Sequence, residues 1–113
     1  MAERVGRNDA SFREANERIN DLAESMELED GRMLPFLCEC ADVSCTQIVQ
    51  LTGPEYEAIR KHPARFFNAP GHEVNAKGWA RVLEERDGYV VLDKVGDAAE
   101  VAEQLDPRTR HPA

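Results

Sequence analysis

The sequence lacks the features of membrane, secreted and nucleic-acid-binding proteins. No stretch approaches the ~20 apolar residues that span a bilayer, and residues 1–5 carry no apolar signal segment. Basic residues are in the minority, with 14 Lys and Arg against 22 Asp and Glu and a formal net charge of -8. A field of this sign repels phosphate backbones. We therefore expect a cytoplasmic protein that binds neither membranes nor nucleic acids.

Common catalytic motifs are missing as well. The chain has no glycine-rich phosphate loop, no H-E-x-x-H, no nucleophile elbow and no carboxylate pair within a surrounding motif. No internal repeat or low-complexity segment divides its 113 residues, a length that suits one domain. We expect a single domain over residues 8–107, with flexible tails at 1–7 and 108–113, and predict no catalytic residue.

Only three cysteines are present, and all of them fall within eight positions: Cys38, Cys40 and Cys45. In a reducing compartment, clustered thiols indicate a metal more than a disulfide, and the odd number agrees. Residues two apart on an extended strand face the same side. Cys38 and Cys40 can therefore act together, with Cys45 folding back across the loop.

A structural zinc ion takes four ligands, usually Cys and His, so three thiolates need one more. The preferred fourth ligand is His72, beside a predicted turn at residues 69–72. Weaker candidates are Glu39, Asp42 and Glu73. The second-choice histidine is His62 at a helix end, and His111 lies in the tail. An iron–sulfur cluster also needs four ligands and ranks below zinc. The spacing matches no common zinc finger, so three reduced, partly buried cysteines stay as the alternative to a metal site.

Two classes of function are compatible with this cluster. A closed zinc site would stabilise a small interaction or regulatory module. The alternative is a thiol redox sensor or a small zinc- or cysteine-dependent enzyme, in which Cys45 and His72 form a nucleophile–base pair or the zinc keeps an open position. The missing catalytic motifs favour the module.

The first helix is predicted from Phe12, with Asn8 or Ser11 at its start. Its apolar positions share one face: Phe12, Ala15, Ile19, Leu22 and Met26. This stripe either covers the domain's own core or binds a protein partner, including a second copy as a homodimer. Two strands, at 33–38 and 46–51, follow as a hairpin with the cysteines at its tip.

The second helix has the clearest local signals. Thr52 is the predicted N-cap, Glu55 completes a capping box and Pro54 lies in the first turn. A short strand at 65–68 and a hairpin of 80–86 with 89–94 around Asp87-Gly88 follow. Asp97 is the predicted N-cap of a last helix, which Pro107 closes. The predicted fold is α+β, a small mainly antiparallel sheet of two hairpins plus a short strand, with three helices.

Three segments together carry a resemblance to known proteins. They are Phe36-x-Cys38-Glu39-Cys40-x4-Cys45, Leu51-Thr52-x-x-Glu55-Tyr56-Glu57-x-x-Arg60 and Pro63-x-Arg65-Phe66-x-x-x-Pro70-Gly71-His72-Glu73. In these segments the chain resembles a family of small acidic actinobacterial proteins that has no assigned activity. The resemblance covers most of residues 12–107. It implies one intact domain with a Cys/His grouping, and it implies no reaction.

Overall fold

The computed structural model describes residues 2–40, 42 and 44–110. The helices are α1 (Ala2–Ser25), α2 (Gly53–Arg60), α3 (Gly96–Gln104) and α4 (Pro107–Arg110). The strands are β1 (Met33–Leu37), β2 (Ile48–Thr52), β3 (Arg65–Asn68), β4 (Ala80–Arg86) and β5 (Tyr89–Lys94), and a 3-10 helix covers His72–Ala76. This architecture confirms the predicted α+β class. No helix in the described ranges has both the length and the apolar character needed to cross a bilayer.

The strands form two antiparallel sheets. One is the hairpin β1–β2, and the other has the strand order β3–β5–β4. Both predicted hairpins are confirmed, and the turn between β4 and β5 uses Gly88 at a positive φ of 91°. The expected single sheet is instead divided, because β3 pairs with β5, and among the described residues its backbone hydrogen bond to the segment of the first hairpin comes only beyond the end of β1. There the Glu39 amide donates to the Phe67 carbonyl at 3.1 Å.

The core lies between the first hairpin, α2 and the inner face of the larger sheet. Its centre is an aromatic group in which the Phe36 and Tyr56 rings stack at 4.4 Å and Phe67 meets both edge-on. Alternating residues of the hairpin complete it on one side: Leu34, Val49 and Leu51. The opposite face of the same hairpin stays accessible, with Met33 50% and Ile48 47% exposed.

Helix α1 differs most from expectation. It begins at Ala2, so Asn8 and Ser11 lie inside the helix and do not start it. In its described part the most buried residues are Arg13, Asn16, Asn20 and Ala23. The predicted apolar stripe lies at the border of this buried face and does not form its centre. Ile19 packs partly against the core, whereas Leu22 and Met26 are each 60% exposed.

The start of α2 is confirmed in detail. The Thr52 side chain accepts from the Glu55 amide at 3.2 Å, and the Glu55 carboxylate accepts from the Thr52 amide at 2.9 Å. The two reciprocal bonds satisfy amides that a helix start otherwise leaves unpaired.

The C-terminal boundaries shift slightly. Helix α3 begins at Gly96, so Asp97, the predicted N-cap, lies inside its first turn. The N-cap is Val95, which gives no side-chain cap. Pro107 starts the short α4, although it was predicted to end the helical region. Arg108 then donates to Glu17 at 2.6 Å and to Glu57 at 2.6 Å. Flexibility of residues 1–7 and 108–113 stays a prediction.

Candidate metal centre

Four side chains from two parts of the chain converge beside the sheets. Cys38 and Cys40 follow β1, Cys45 lies in the loop that returns to β2, and His72 opens the 3-10 helix after β3. Their ligand atoms all lie within 4.8 Å of one another. The group could therefore hold one metal ion.

The backbone after β1 explains why the two first cysteines act together. The Cys38 amide donates to the Gln47 carbonyl at 3.0 Å, which extends the hairpin ladder by one pair. Cys38 and Cys40 are turned toward His72 and Cys45, while Glu39 between them reaches α1. This is the alternation of an extended strand.

Two tight turns position the other two candidate ligands, Cys45 and His72. The Cys45 amide donates to the Asp42 carbonyl at 3.0 Å, and the Asp42 carboxylate accepts from the Ser44 amide at 2.9 Å. On the other side the His72 amide donates to the Ala69 carbonyl at 3.0 Å, in the predicted turn. Both turns are local features of the sequence, and their meeting depends on the pairing of distant strands.

The distances suit a tetrahedral ion. The Nδ1 atom of His72 is 3.5 Å from the sulfur of Cys38 and 3.5 Å from that of Cys45. A tetrahedral zinc ion, with bonds of about 2.3 Å to sulfur and about 2.0 Å to nitrogen, separates such atoms by roughly 3.5 Å. The three cysteines form no disulfide. The donor set and its spacing therefore fit a metal ion.

Burial differs across the group. Cys38 and Cys40 are each 1% exposed, whereas Cys45 and His72 are half-buried. Burial raises the pKa of the Cys38 thiol, and the Ala69 amide, which donates to its sulfur at 3.2 Å, offsets this only in part. Thiols in this state are protonated at neutral pH, so an entering cation must displace their protons.

Asn75 is a site residue that the sequence did not indicate. Burial raises the pKa of Cys40, and hydrogen bonds from the Asp42 backbone and the Asn75 side chain act against that rise. The only signal in the sequence is its spacing. Residues three apart in a 3-10 helix lie on the same side, so Asn75 follows His72 toward the sulfurs.

The weaker ligand candidates are engaged elsewhere or lie away from the group. The Glu73 carboxylate accepts from the Gly71 amide at 2.8 Å, and Asp42 accepts from Ser44. His62 is exposed beyond the end of α2. His111 falls outside the described residues.

Glu39, the residue between two of the ligands, has a different role. Its side chain is fully buried and accepts from Arg13 at 2.9 and 2.8 Å and from Asn16 at 3.0 Å. The Arg13 guanidinium also lies 3.9 Å from the centre of the Phe66 ring and donates to the Arg65 carbonyl. The cysteine loop is thereby attached to α1. Sequence reasoning missed this contact because its partners are 26 and 23 residues apart.

Two cavities of the fold do not involve the four ligands. One, of about 170 Å³, lies where the end of α1 meets the start of α2 and is bordered by Glu24, Glu29 and Glu57. The other, of about 330 Å³, lies between α2 and the larger sheet. Neither is lined by any of the four ligand residues, so neither gives a substrate access to the metal group.

The likeness to small acidic actinobacterial proteins rests on the sequence pattern alone and stays a prediction. No protein-family model matches the chain, and none of the curated proteins and none of the solved structures compared with it matches either.

Proposed function

We propose that this chain is a small zinc-stabilised cytoplasmic domain that acts as an interaction or regulatory module. The observation that carries the proposal is the convergence of Cys38, Cys40, Cys45 and His72, with all ligand atoms within 4.8 Å. Three thiolates and one imidazole form a donor set that structural zinc sites commonly use.

The donor set also argues for zinc over other metals. Magnesium and calcium prefer oxygen ligands, and the common iron–sulfur clusters take four thiolates. Soft sulfur with imidazole suits zinc. A zinc ion with three thiolates carries one net negative charge. The amide of Ala69 and the side chain of Asn75, which donate to two of the sulfurs, would stabilise that charge.

The ion would add a direct link between the two sheets, beside the aromatic core that they already share. The three cysteines belong to the first hairpin and its loop, while His72 follows β3 of the larger sheet. A site that is absent from the unfolded chain converts metal-binding free energy into folding free energy. For a domain of 113 residues with one modest core, this supplement is substantial.

The geometry supports a structural role more than a catalytic one. Four protein ligands leave no open position for water or substrate on a tetrahedral ion. His72 lies 3.5 Å from both Cys38 and Cys45, so it does not single out Cys45 as the partner of a nucleophile–base pair.

The interaction role rests on the exposed end of α1. Leu22 and Met26 are each 60% exposed there, beside charged residues that also face solvent: Arg18, Asp21 and Glu24. Large apolar side chains grouped in this way are typical of a contact surface. We assign this end of α1 to a protein partner, with the flanking charges selecting which partner binds.

Metal analysis of the protein, purified with a reductant, tests the zinc site. We expect about one zinc per chain, and a lower melting temperature once a chelator removes it. Cys40→Ser should lose the metal, because serine replaces a soft thiolate with a hard neutral ligand. His72→Ala should bind more weakly, since water can take the fourth position.

The control is His62→Ala, which changes an exposed histidine outside the group and should keep full metal content. A folded protein with no metal and three freely titrating thiols would reject the zinc site.

A further inference from the structure

The outer edge of β2 carries backbone groups that point away from the hairpin. The Cys38 amide donates to the Gln47 carbonyl, so Cys38 and Gln47 form a hydrogen-bonded pair. Hydrogen-bonded and non-hydrogen-bonded pairs alternate along the β1–β2 ladder. Ile48 and Gln50 fall in the non-hydrogen-bonded pairs, so their N–H and C=O groups face outward. The register has an independent check on β1, where the outward amide of Leu37 donates to the Asn16 side chain at 2.7 Å.

The other strand edges are closed. Asn16 also donates to the Leu37 carbonyl at 3.0 Å, so its side chain imitates a paired peptide group along β1. The Glu39 amide occupies the Phe67 carbonyl on the outer side of β3. Strand β4 carries four charged residues, Arg81, Glu84, Glu85 and Arg86, and has an irregular register between Val82 and Glu84. Charge and bulges are the usual protection of an edge strand.

Strand β2 has none of these protections. Its sequence, IVQLT, contains no charge and no proline, and its pairing with β1 is regular. Across the described residues, no hydrogen bond engages the outward groups of Ile48 or Gln50, and both residues are exposed. Further along, the Thr52 amide is already bonded to Glu55 at 2.9 Å. An unprotected edge of this kind is a template for another strand.

We propose that this edge pairs with the same edge of a second copy of the chain. In the antiparallel arrangement, Ile48 of one copy faces Gln50 of the other, and the two Val49 residues lie opposite each other across the two-fold axis. This register makes four backbone hydrogen bonds. A register centred on Gln50 would need the Thr52 amide, which is occupied.

The edge is self-complementary, since the two-fold arrangement pairs every outward N–H and C=O of Ile48 and Gln50 with one from the other copy, and charge restricts where two copies can meet. Two chains that each carry a net charge of -8 repel at most points of their surfaces. The edge of β2 is neutral, and so is the adjoining outer face of β1, which presents Met33, Pro35 and Leu37. Joining the edges gives a four-stranded sheet and brings the half-exposed Ile48 of each copy close to that of the other, as diagonal neighbours on one face. The contact is small, so the dimer is weak and depends on concentration.

The test measures mass as a function of concentration by sedimentation equilibrium, up to about 1 mM, on the full chain purified with a reductant. The wild type should shift from one-chain to two-chain mass. Ile48→Lys should shift the dimerisation constant at least tenfold toward monomer. The matched control is Val82→Lys on β4, an apolar residue of similar exposure, 45% against 47%, on a protected edge. It should dimerise like the wild type.

A second variant addresses the backbone directly. Gln50→Pro removes an outward N–H without touching the bonds to β1, and proline is tolerated on edge strands. It should be monomeric with an unchanged melting temperature, while Gln50→Ala still dimerises. Hydrogen exchange gives a further readout, since the Ile48 and Gln50 amides should gain protection as concentration rises.

Three results would overturn the proposal. A wild type that stays one chain at every concentration removes self-association. A dimer that survives both Ile48→Lys and Gln50→Pro but is lost in Leu22→Lys belongs to α1. Monomers that bind an extended peptide at β2, with protection of the same two amides, show that the edge serves a different protein. None of these outcomes depends on the metal.

Discussion

At the scale of single residues, Glu39 decides how the metal group is presented. It separates Cys38 from Cys40, and its carboxylate is held by Arg13 and Asn16 on the opposite side of the backbone. A buried ion pair adds little net stability, because desolvating two charges offsets their attraction. We infer that the pair fixes geometry: with Glu39 anchored inward to α1, the two flanking sulfurs must face His72.

Glu39→Gln tests this anchoring. The substitution keeps the side-chain shape but leaves Arg13 buried without a counter-charge, so we expect a loss of about 3 kcal/mol in unfolding free energy. Chelator competition should also show weaker metal binding. Urea unfolding of the metal-loaded protein gives the first quantity.

The control is Glu84→Gln, which breaks an ion pair whose two side chains are 52% and 50% exposed. This change should leave stability nearly untouched, because water screens such pairs. Equal effects of the two substitutions would show that the Arg13–Glu39 contact fixes nothing.

At the scale of secondary-structure elements, the start of α2 links local and long-range stabilisation. Glu55 completes the capping box with one oxygen and accepts from the Tyr89 hydroxyl at 2.9 Å with the other. Burial and this contact with Glu55 raise the pKa of Tyr89 to about 12. The same carboxylate therefore caps a helix and ties it to the larger sheet.

Thr52→Ala should lower the unfolding free energy by about 1 kcal/mol, since the Glu55 amide loses its acceptor at the N-cap. Thr52→Ser keeps an oxygen at this position and should retain most of the stability. Thermal and urea unfolding of the three proteins give the comparison. An alanine variant as stable as the wild type would mean that water replaces the cap without cost.

Elements with short-range signals could be predicted from the sequence, and elements that depend on distant partners could not. The capping box at Thr52 and the Asp87-Gly88 hairpin follow from residues within a few positions of each other. The inward face of α1 does not. Arg13 and Asn16 turn inward because Glu39 and the Leu37 backbone offer partners, which no helical periodicity reveals.

The same division applies to the candidate site. The clustering of three cysteines singles out the loop, and the predicted turn made His72 the preferred fourth ligand. The contribution of Asn75 and the attachment of Glu39 to α1 depend on strand pairing and helix docking, so they appear only in three dimensions. The split into two sheets has the same origin, since the partner of β3 is set by tertiary packing.

At the scale of the whole molecule, a charge cluster joins helices from both ends of the chain. Arg60 of α2 is fully buried and contacts Asp106 at 2.5 Å and Glu17 of α1 at 3.3 Å. Arg108 of α4 adds a second cation to Glu17 at 2.6 Å. Burial raises the pKa of Glu17, but hydrogen bonds from Arg108, Arg60 and Tyr56 outweigh it and lower the pKa to about 2.

This shift predicts a pH dependence of stability. A carboxylate with a depressed pKa stabilises the fold fully above its unfolded value of 4.5, and that contribution is lost as pH falls from there toward about 2. Half-exposed Arg108 is screened by water, so we expect an effect on the order of 2 kcal/mol. Glu17→Gln should therefore be less stable than the wild type at neutral pH and equal to it near pH 2.

Urea unfolding across this pH range measures the difference between the two proteins, which also cancels any metal release common to both. Glu100→Gln, at an exposed position of α3, should follow the wild-type curve throughout. A constant offset between Glu17→Gln and the wild type at every pH would show that the loss is one of packing and not of charge.

The polar inward face of α1 has a consequence for how the molecule responds to temperature. Exposing apolar surface raises the heat capacity by about 0.45 cal/K/mol per Å², whereas exposing polar surface lowers it by about 0.26. A helix that docks through Arg13, Asn16 and Asn20 therefore contributes less to the heat capacity of unfolding than one docked through an apolar stripe. The free energy that attaches α1 to the domain therefore varies less with temperature than the contribution of the aromatic core. More of it is kept on cooling, which weakens hydrophobic contacts.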